Sequence, residues 1–108
     1  MPRIATRLAG PAQVSNAAAT KYTVPSVTKT IVRHVHVQNP SASAVTFTMS
    51  IGADAAGTRI FDAYSIAAGQ ILDHYCYYVL AAAEIIQALA GTNNILTLTI
   101  DGDESVLG

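Results

Sequence analysis

"AVTFTMSI", residues 44–51, alternates Val45, Phe47, Met49 and Ile51 with Thr46, Thr48 and Ser50. A period of two puts the apolar set on one side of a pleated strand and the hydroxyls on the other, so this run reads as a half-buried β-strand. The same grammar returns near the C-terminus in "ILTLTID", residues 95–101, where Leu96, Leu98 and Ile100 face inward and Thr97, Thr99 and Asp101 outward. Between and before these runs, short extended patterns are separated by turn formers.

Upstream, "IVRHVHVQN", residues 31–39, places His34 and His36 on one strand face and Ile31, Val35 and Val37 on the other. The turn cluster "NPSAS", which begins at Asn39 and Pro40, then predicts an antiparallel hairpin over residues 31–51. "KYTVPS" is a short extended segment that Pro25 stops or confines to an edge. Downstream, "IGADAAGT" supplies a turn, "RIFDAYSI" a strand and "AAGQ" another turn. "ILDHYCYYVL", residues 71–80, is a long strand rich in aromatic and branched residues. Asp73, Tyr75, Tyr77 and Val79 share one of its faces, and His74, Cys76, Tyr78 and Leu80 the other. Neither face is purely polar, so both are expected to be covered, one by the core and one by another segment or subunit. Residues 79–90 fit a helical face through Val79, Ala83, Ile86 and Ala90, or else a turn at "AAAE" followed by the strand "IIQALA". Turn signals about every 8 to 12 residues favour the strand reading. The sum is an all-β chain of about seven or eight strands, an antiparallel, jelly-roll-like β-sandwich. Residues 1–20, rich in Ala with Gly10 and Pro11, are expected to form an extended N-terminal arm, and residues 21–108 the sandwich domain.

Composition narrows the function. Of 108 residues, 51% are hydrophobic and only 12% charged, against a usual charged share of about 25%. Such a surface suits burial against neighbours. Six basic residues and a net charge of −1 offer no footprint for tracking phosphates, so no nucleic-acid partner is expected. No apolar run approaches the length of about 18 residues that a membrane span needs, and the first 20 residues lack the apolar core of a signal peptide. Charge is also unevenly placed. Arg3, Arg7, Lys21, Lys29 and Arg33 precede every acidic residue, which allows pairing within one fold or complementarity between copies.

Candidate chemistry is sparse. No Gly-rich phosphate loop, no G-x-S-x-G elbow and no H-E-x-x-H helix occurs. His34, His36 and His74 form the one metal-like set, which demands that two strands bring them together; the competing reading is polar or interface histidines. Asp62, Asp73 and Glu84 would act as a glycosidase pair only if two of them converged. Cys76, the lone cysteine, excludes an internal disulfide and reads as a small buried hydrophobe. The five tyrosines read as core and interface anchors, with a sugar-binding platform as the alternative. We therefore expect no catalytic residues, no cofactor and no metal.

The motifs "YTVP" (Tyr22–Pro25), "VQN" (Val37–Asn39), "VT" (Val45 and Thr46), "SIAAG" (Ser65–Gly69), "IQA" (Ile86–Ala88) and "LTLTI" (Leu96–Ile100) follow one another along residues 22–102. In that order they resemble small structural proteins of tailed-bacteriophage virions. The resemblance implies a non-enzymatic subunit, a capsid decoration (cement) protein that oligomerises, a trimer being the favoured form, and stabilises the shell. It further implies the major capsid protein or other virion proteins as partners, and a virion location after assembly in the host cytoplasm. A neck or tail component, or a tail-fibre module that binds a receptor or carbohydrate, is the alternative. On the cement reading Arg3 and Arg7 contact the shell or a neighbouring subunit, and Tyr75, Tyr77 and Tyr78 anchor the oligomer.

Overall fold

The computed structural model describes residues 3–106, and these form eight strands with no helix among them. In chain order they are β1 (Ile4–Gln13), β2 (Ala19–Thr23), β3 (Thr28–Gln38), β4 (Val45–Ile51), β5 (Arg59–Ile66), β6 (Ile71–Leu80), β7 (Ile85–Ala90) and β8 (Thr97–Val106). Two four-stranded antiparallel sheets result, one ordered β1-β8-β3-β6 and the other β2-β7-β4-β5. Strand β1 pairs with β8, β2 with β7, β3 with β6 and β4 with β5, so the chain is one long hairpin folded back and forth between two layers.

The core lies between the sheets. Val32, Val35, Val37, Leu98 and Ile100 from one layer meet Phe47, Met49, Ile86 and Ala88 from the other, all with almost no exposure. These are the residues that period-two patterning assigns to inward faces in β4 and β8. Residues 79–90 resolve as the end of β6, a turn and β7. Packing of Ile86, Ala88 and Ala90 against the facing sheet overrides alanine's helical preference.

Three expectations are corrected. Residues 31–51 are not a hairpin: β3 and β4 belong to opposite sheets, and the chain crosses from one to the other through residues 39–44. Asn39, fully buried, holds this crossing. Its backbone N–H donates to the Gln70 carbonyl at 3.0 Å, and its amide donates to the carbonyls of Ser43 and Ile66, each at 2.9 Å. Its Oδ1 accepts from the Ser41 N–H and hydroxyl at 3.1 and 2.7 Å. A turn-forming side chain thus satisfies the backbone of a layer-to-layer link rather than closing a two-strand ladder.

Secondly, the stretch expected to be an arm is, over Ile4–Gln13, an edge strand paired with β8 from Ile4↔Glu104 to Gln13↔Thr97, with Leu8 in the core. Residues 1 and 2 lie outside the described residues. Thirdly, the face assignment in β3 changes midway. Val32 is a core residue whereas Ile31 stays outside the core cluster, and three residues later Val35 is again in the core. The register shows why: Val32 lies opposite Gly102 and His34 opposite Asp101, so Arg33 is an extra residue, a β-bulge against β8. Had alternation continued from Val32, His34 and His36 would point into the core. The bulge turns them outward. Gly102 allows the strands to approach closely here, since a Cβ at that position would sit 2.1 Å from the Ile31 carbonyl oxygen.

The hydroxyl face of β4 is covered as well. Ser50, fully buried, donates to Asp54 Oδ1 at 2.9 Å, and the Asp54 N–H donates to Gln87 Oε1 at 2.9 Å, which ties the 52–58 loop down over the outside of the sheet. Thr48 Oγ1 accepts from the Ala63 N–H at 3.0 Å, where β5 bulges and Ala63 adopts a φ of 50°.

Candidate functional site

Outward-facing residues of β3 and β6 make the most chemically distinctive surface. His34 and His36 stand side by side, and Asp73 is the direct cross-strand partner of His36. Asp73 Oδ1 lies 2.9 Å from His34 Nε2 and 2.6 Å from His36 Nδ1. Hydrogen bonds from His36 and then His34 hold the Asp73 carboxyl below the usual carboxylate range. The His34 ring lies flat on Tyr75, with centroids 4.4 Å apart and planes 6° from parallel. On its other side, His34 Nδ1 is 4.0 Å from Oδ2 of Asp101, its cross-strand partner on β8.

The histidine trio weighed from the sequence as a metal-like set is not assembled. His74 points to the inner side of β6, where it meets the edge of Phe61 at 5.0 Å and hydrogen-bonds the Tyr78 hydroxyl at 3.0 Å. Alternation along β6 puts His74 on the opposite face from Asp73, so no side-chain rotation unites the three histidines. Among the described residues, His34, His36 and Asp73 are the one group of three such side chains close enough to hold a common ion, their ligand atoms all lying within 4.8 Å of one another. Sequence reading found the two histidines and missed Asp73 as their partner, although its place on the outer face of β6 was legible from the alternation.

The three acids considered as a glycosidase pair have separate structural roles. Asp62 accepts from Arg59 Nη1 at 2.9 Å, Glu84 accepts from the Ala81 N–H in the β6–β7 turn, and Asp73 belongs to the histidine pair. Arg59 also forks onto both oxygens of Asp54, at 3.0 and 3.1 Å, and this contact first of all holds the Asp54 carboxyl below the ordinary range. Cys76 is half-buried under the Val32 carbonyl, and burial pushes its thiol up, away from the reactive thiolate.

Beside the histidine pair, the outer face of β6 carries a row of exposed apolar side chains: Ile71, Tyr75, Tyr77 and Val79 are between 52% and 76% exposed. Strand β6 is the edge of its sheet, so this row borders an unpaired ladder. Tyr78, grouped with Tyr75 and Tyr77 by sequence, turns inward against the core. Arg7 and Arg3 are exposed at the opposite edge, and Arg7 faces Asp101 across the β1–β8 ladder. Arg33 reaches Asp103 at 3.7 Å and lies over the Tyr77 ring at 5.6 Å, so part of the front-to-back charge asymmetry is neutralised within one sheet.

Comparison with known proteins finds no matching family model, no matching curated sequence and no matching solved structure. The functional reading therefore rests on the residues themselves.

Proposed function

We propose that this chain is a non-enzymatic structural subunit of a tailed-bacteriophage virion, a capsid decoration (cement) protein that binds the assembled shell and neighbouring copies of itself. The observation that carries the reading is the outer face of β6. Two tyrosines and two aliphatic residues stand exposed on an edge strand, in a chain with few charges to keep such a face in water. An aromatic side chain of this kind removes about 150–250 Å² from solvent when covered, which makes Tyr75 and Tyr77 the natural anchors of an interface. The doubled-back hairpin, whose strands pair first with last in two antiparallel sheets, is a sandwich-like arrangement of the kind that the resemblance over residues 22–102 implies. Repetition of a modest contact over a shell adds up through multivalency, and preferential binding to the assembled state stabilises that state by mass action.

The test is uptake of the purified chain by emptied phage shells, read beside its mass in solution by light scattering. Saturable binding at a fixed copy number per shell, lost in the Tyr75→Ser/Tyr77→Ser double variant, is the expected result. A chain that stays monomeric at high concentration and ignores shells would overturn the proposal. Charge reversal at Arg3 and Arg7 probes the basic edge, whereas deletion of residues 1–20 would remove β1 and its buried Leu8 along with any contact. A second reading draws on Tyr75 alone. The residue is 76% exposed and its ring is backed flat by His34, a rigid platform of the sort on which sugars stack. Glycan binding by the isolated protein, without shell uptake, would favour the tail-fibre role.

A further inference from the structure

We infer that His34, His36 and Asp73 form a binding site for a single divalent transition-metal ion, of which zinc, held elsewhere by two imidazoles and one carboxylate, is the redox-inert probe. The inference is independent of the assembly reading, because the isolated chain can be tested for it.

Two strands supply the donors. His34 and His36, two residues apart on β3, present Nε2 and Nδ1 on the same face, and Asp73 reaches across from β6. Both imidazole nitrogens converge on one carboxylate oxygen at 2.9 and 2.6 Å. Ligand atoms around a tetrahedral zinc, each at about 2.0–2.2 Å from the metal, lie about 3.4 Å apart. The three donor atoms are within 4.8 Å of each other, so small side-chain rotations suffice and no backbone movement is needed. In such a site the ion takes the place of the protons now shared between the rings and Asp73.

Two further features orient the ligands. When Nε2 of His34 serves the metal, its ring proton belongs on Nδ1, and the Asp101 carboxylate lies on that side at 4.0 Å, one side-chain rotation short of hydrogen-bond distance. Once it closes on Nδ1–H, a carboxylate behind a metal-binding histidine fixes its tautomer and raises its basicity. The stack on Tyr75 holds the same ring in plane. The rings and the carboxylate retain between 23% and 35% of their side-chain exposure, so the ion is reached directly from solvent and keeps at least one position for water.

The experiment uses the full chain without an affinity tag, stripped by a chelator and titrated with zinc chloride in a calorimeter. One ion per chain is expected. His34→Ala, His36→Ala and Asp73→Asn should each weaken binding at least about 100-fold, and Asp101→Asn by about 10-fold, as supporting carboxylates do elsewhere. His74→Gln, on the opposite face, should leave affinity unchanged. Long-range proton–nitrogen spectra of the unmodified chain should show zinc shifting the ring nitrogens of His34 and His36 while those of His74 stay in place. No binding at millimolar zinc, or binding that survives His36→Ala, or a shift at His74 instead, would overturn the assignment.

Discussion

Substitution of Gly102 by alanine tests the reasoning that joins fold to site. A Cβ there would lie 2.1 Å from the Ile31 carbonyl oxygen and 3.0 Å from Leu8 Cδ1, where 3.4 Å is the near limit of ordinary contact. The oxygen belongs to the backbone, so no rotamer change relieves the clash, and β3 and β8 must part by more than about 1 Å. Overpacking of this kind costs about 1–3 kcal/mol, and stretching or losing ladder hydrogen bonds at the bulge adds about 1–2 kcal/mol. Alanine's smaller unfolded-state entropy returns about 0.5–1 kcal/mol. The net loss is about 1–4.5 kcal/mol, which for a domain near 100 residues lowers the melting temperature by about 5–20 °C. Urea unfolding followed by circular dichroism reads the free energy, and an unchanged slope would show that the transition remains cooperative. A midpoint equivalent to within about 0.5 kcal/mol of the parent would refute the claim that close approach at Gly102 sustains the bulge.

Other outcomes follow from single contacts. Phe47→Ala, at the fully buried centre of β4, should cost about 3–5 kcal/mol, measured by the same unfolding assay. Asn39→Ala strips the sheet crossing of its amide bonds and leaves the buried Ile66 carbonyl without that donor, for a loss of about 2–3 kcal/mol. Tyr22 joins the two layers through its hydroxyl to Thr30 Oγ1 at 2.8 Å and to Glu104, and burial, then the Glu104 hydrogen bond, pushes it up to about 12. The unfolded chain ionises first, near pH 10, so the proton is held more tightly by the folded protein and stability falls between pH 10 and 12. Allowing for the solvent that still reaches this ring, the contribution is about 1 kcal/mol, and it should vanish from the pH profile of Tyr22→Phe. Arg59→Gln should raise the Asp54 carboxyl toward its ordinary range and loosen the 52–58 loop, read as faster amide exchange at Thr58, whose N–H donates to the Ala55 carbonyl.

How far the sequence could be read depended on whether the controlling physics was local. Period-two alternation is a local property, and it located β4, β6, β7 and β8, and the inward residues of β4 and β8. The bulge at Arg33 is not local. It depends on a glycine almost 70 residues away, and the one hint within "IVRHVHV" is that Val32 and Val35 are both apolar while three apart. Likewise "NPSAS" announces a change of direction, but whether the chain returns beside itself or crosses to the other layer is decided by Asn39 reaching Ile66. Asp73 was legible as an outward residue of β6; its meeting with His36 required the β3–β6 register, which pattern alone does not supply.

The nested pairing of first strand with last also fixes an order of events. Residues 45–66 close on themselves through one short loop, whereas joining Ile4 to Glu104 spans nearly the whole chain. Closure entropy rises with the length of unfixed chain, so the middle is expected to zip first and each outer pair then has only a short new segment to bring home. The chain's two ends arrive last and open first, leaving the seam between β1 and β8 as the place where the closed fold comes undone.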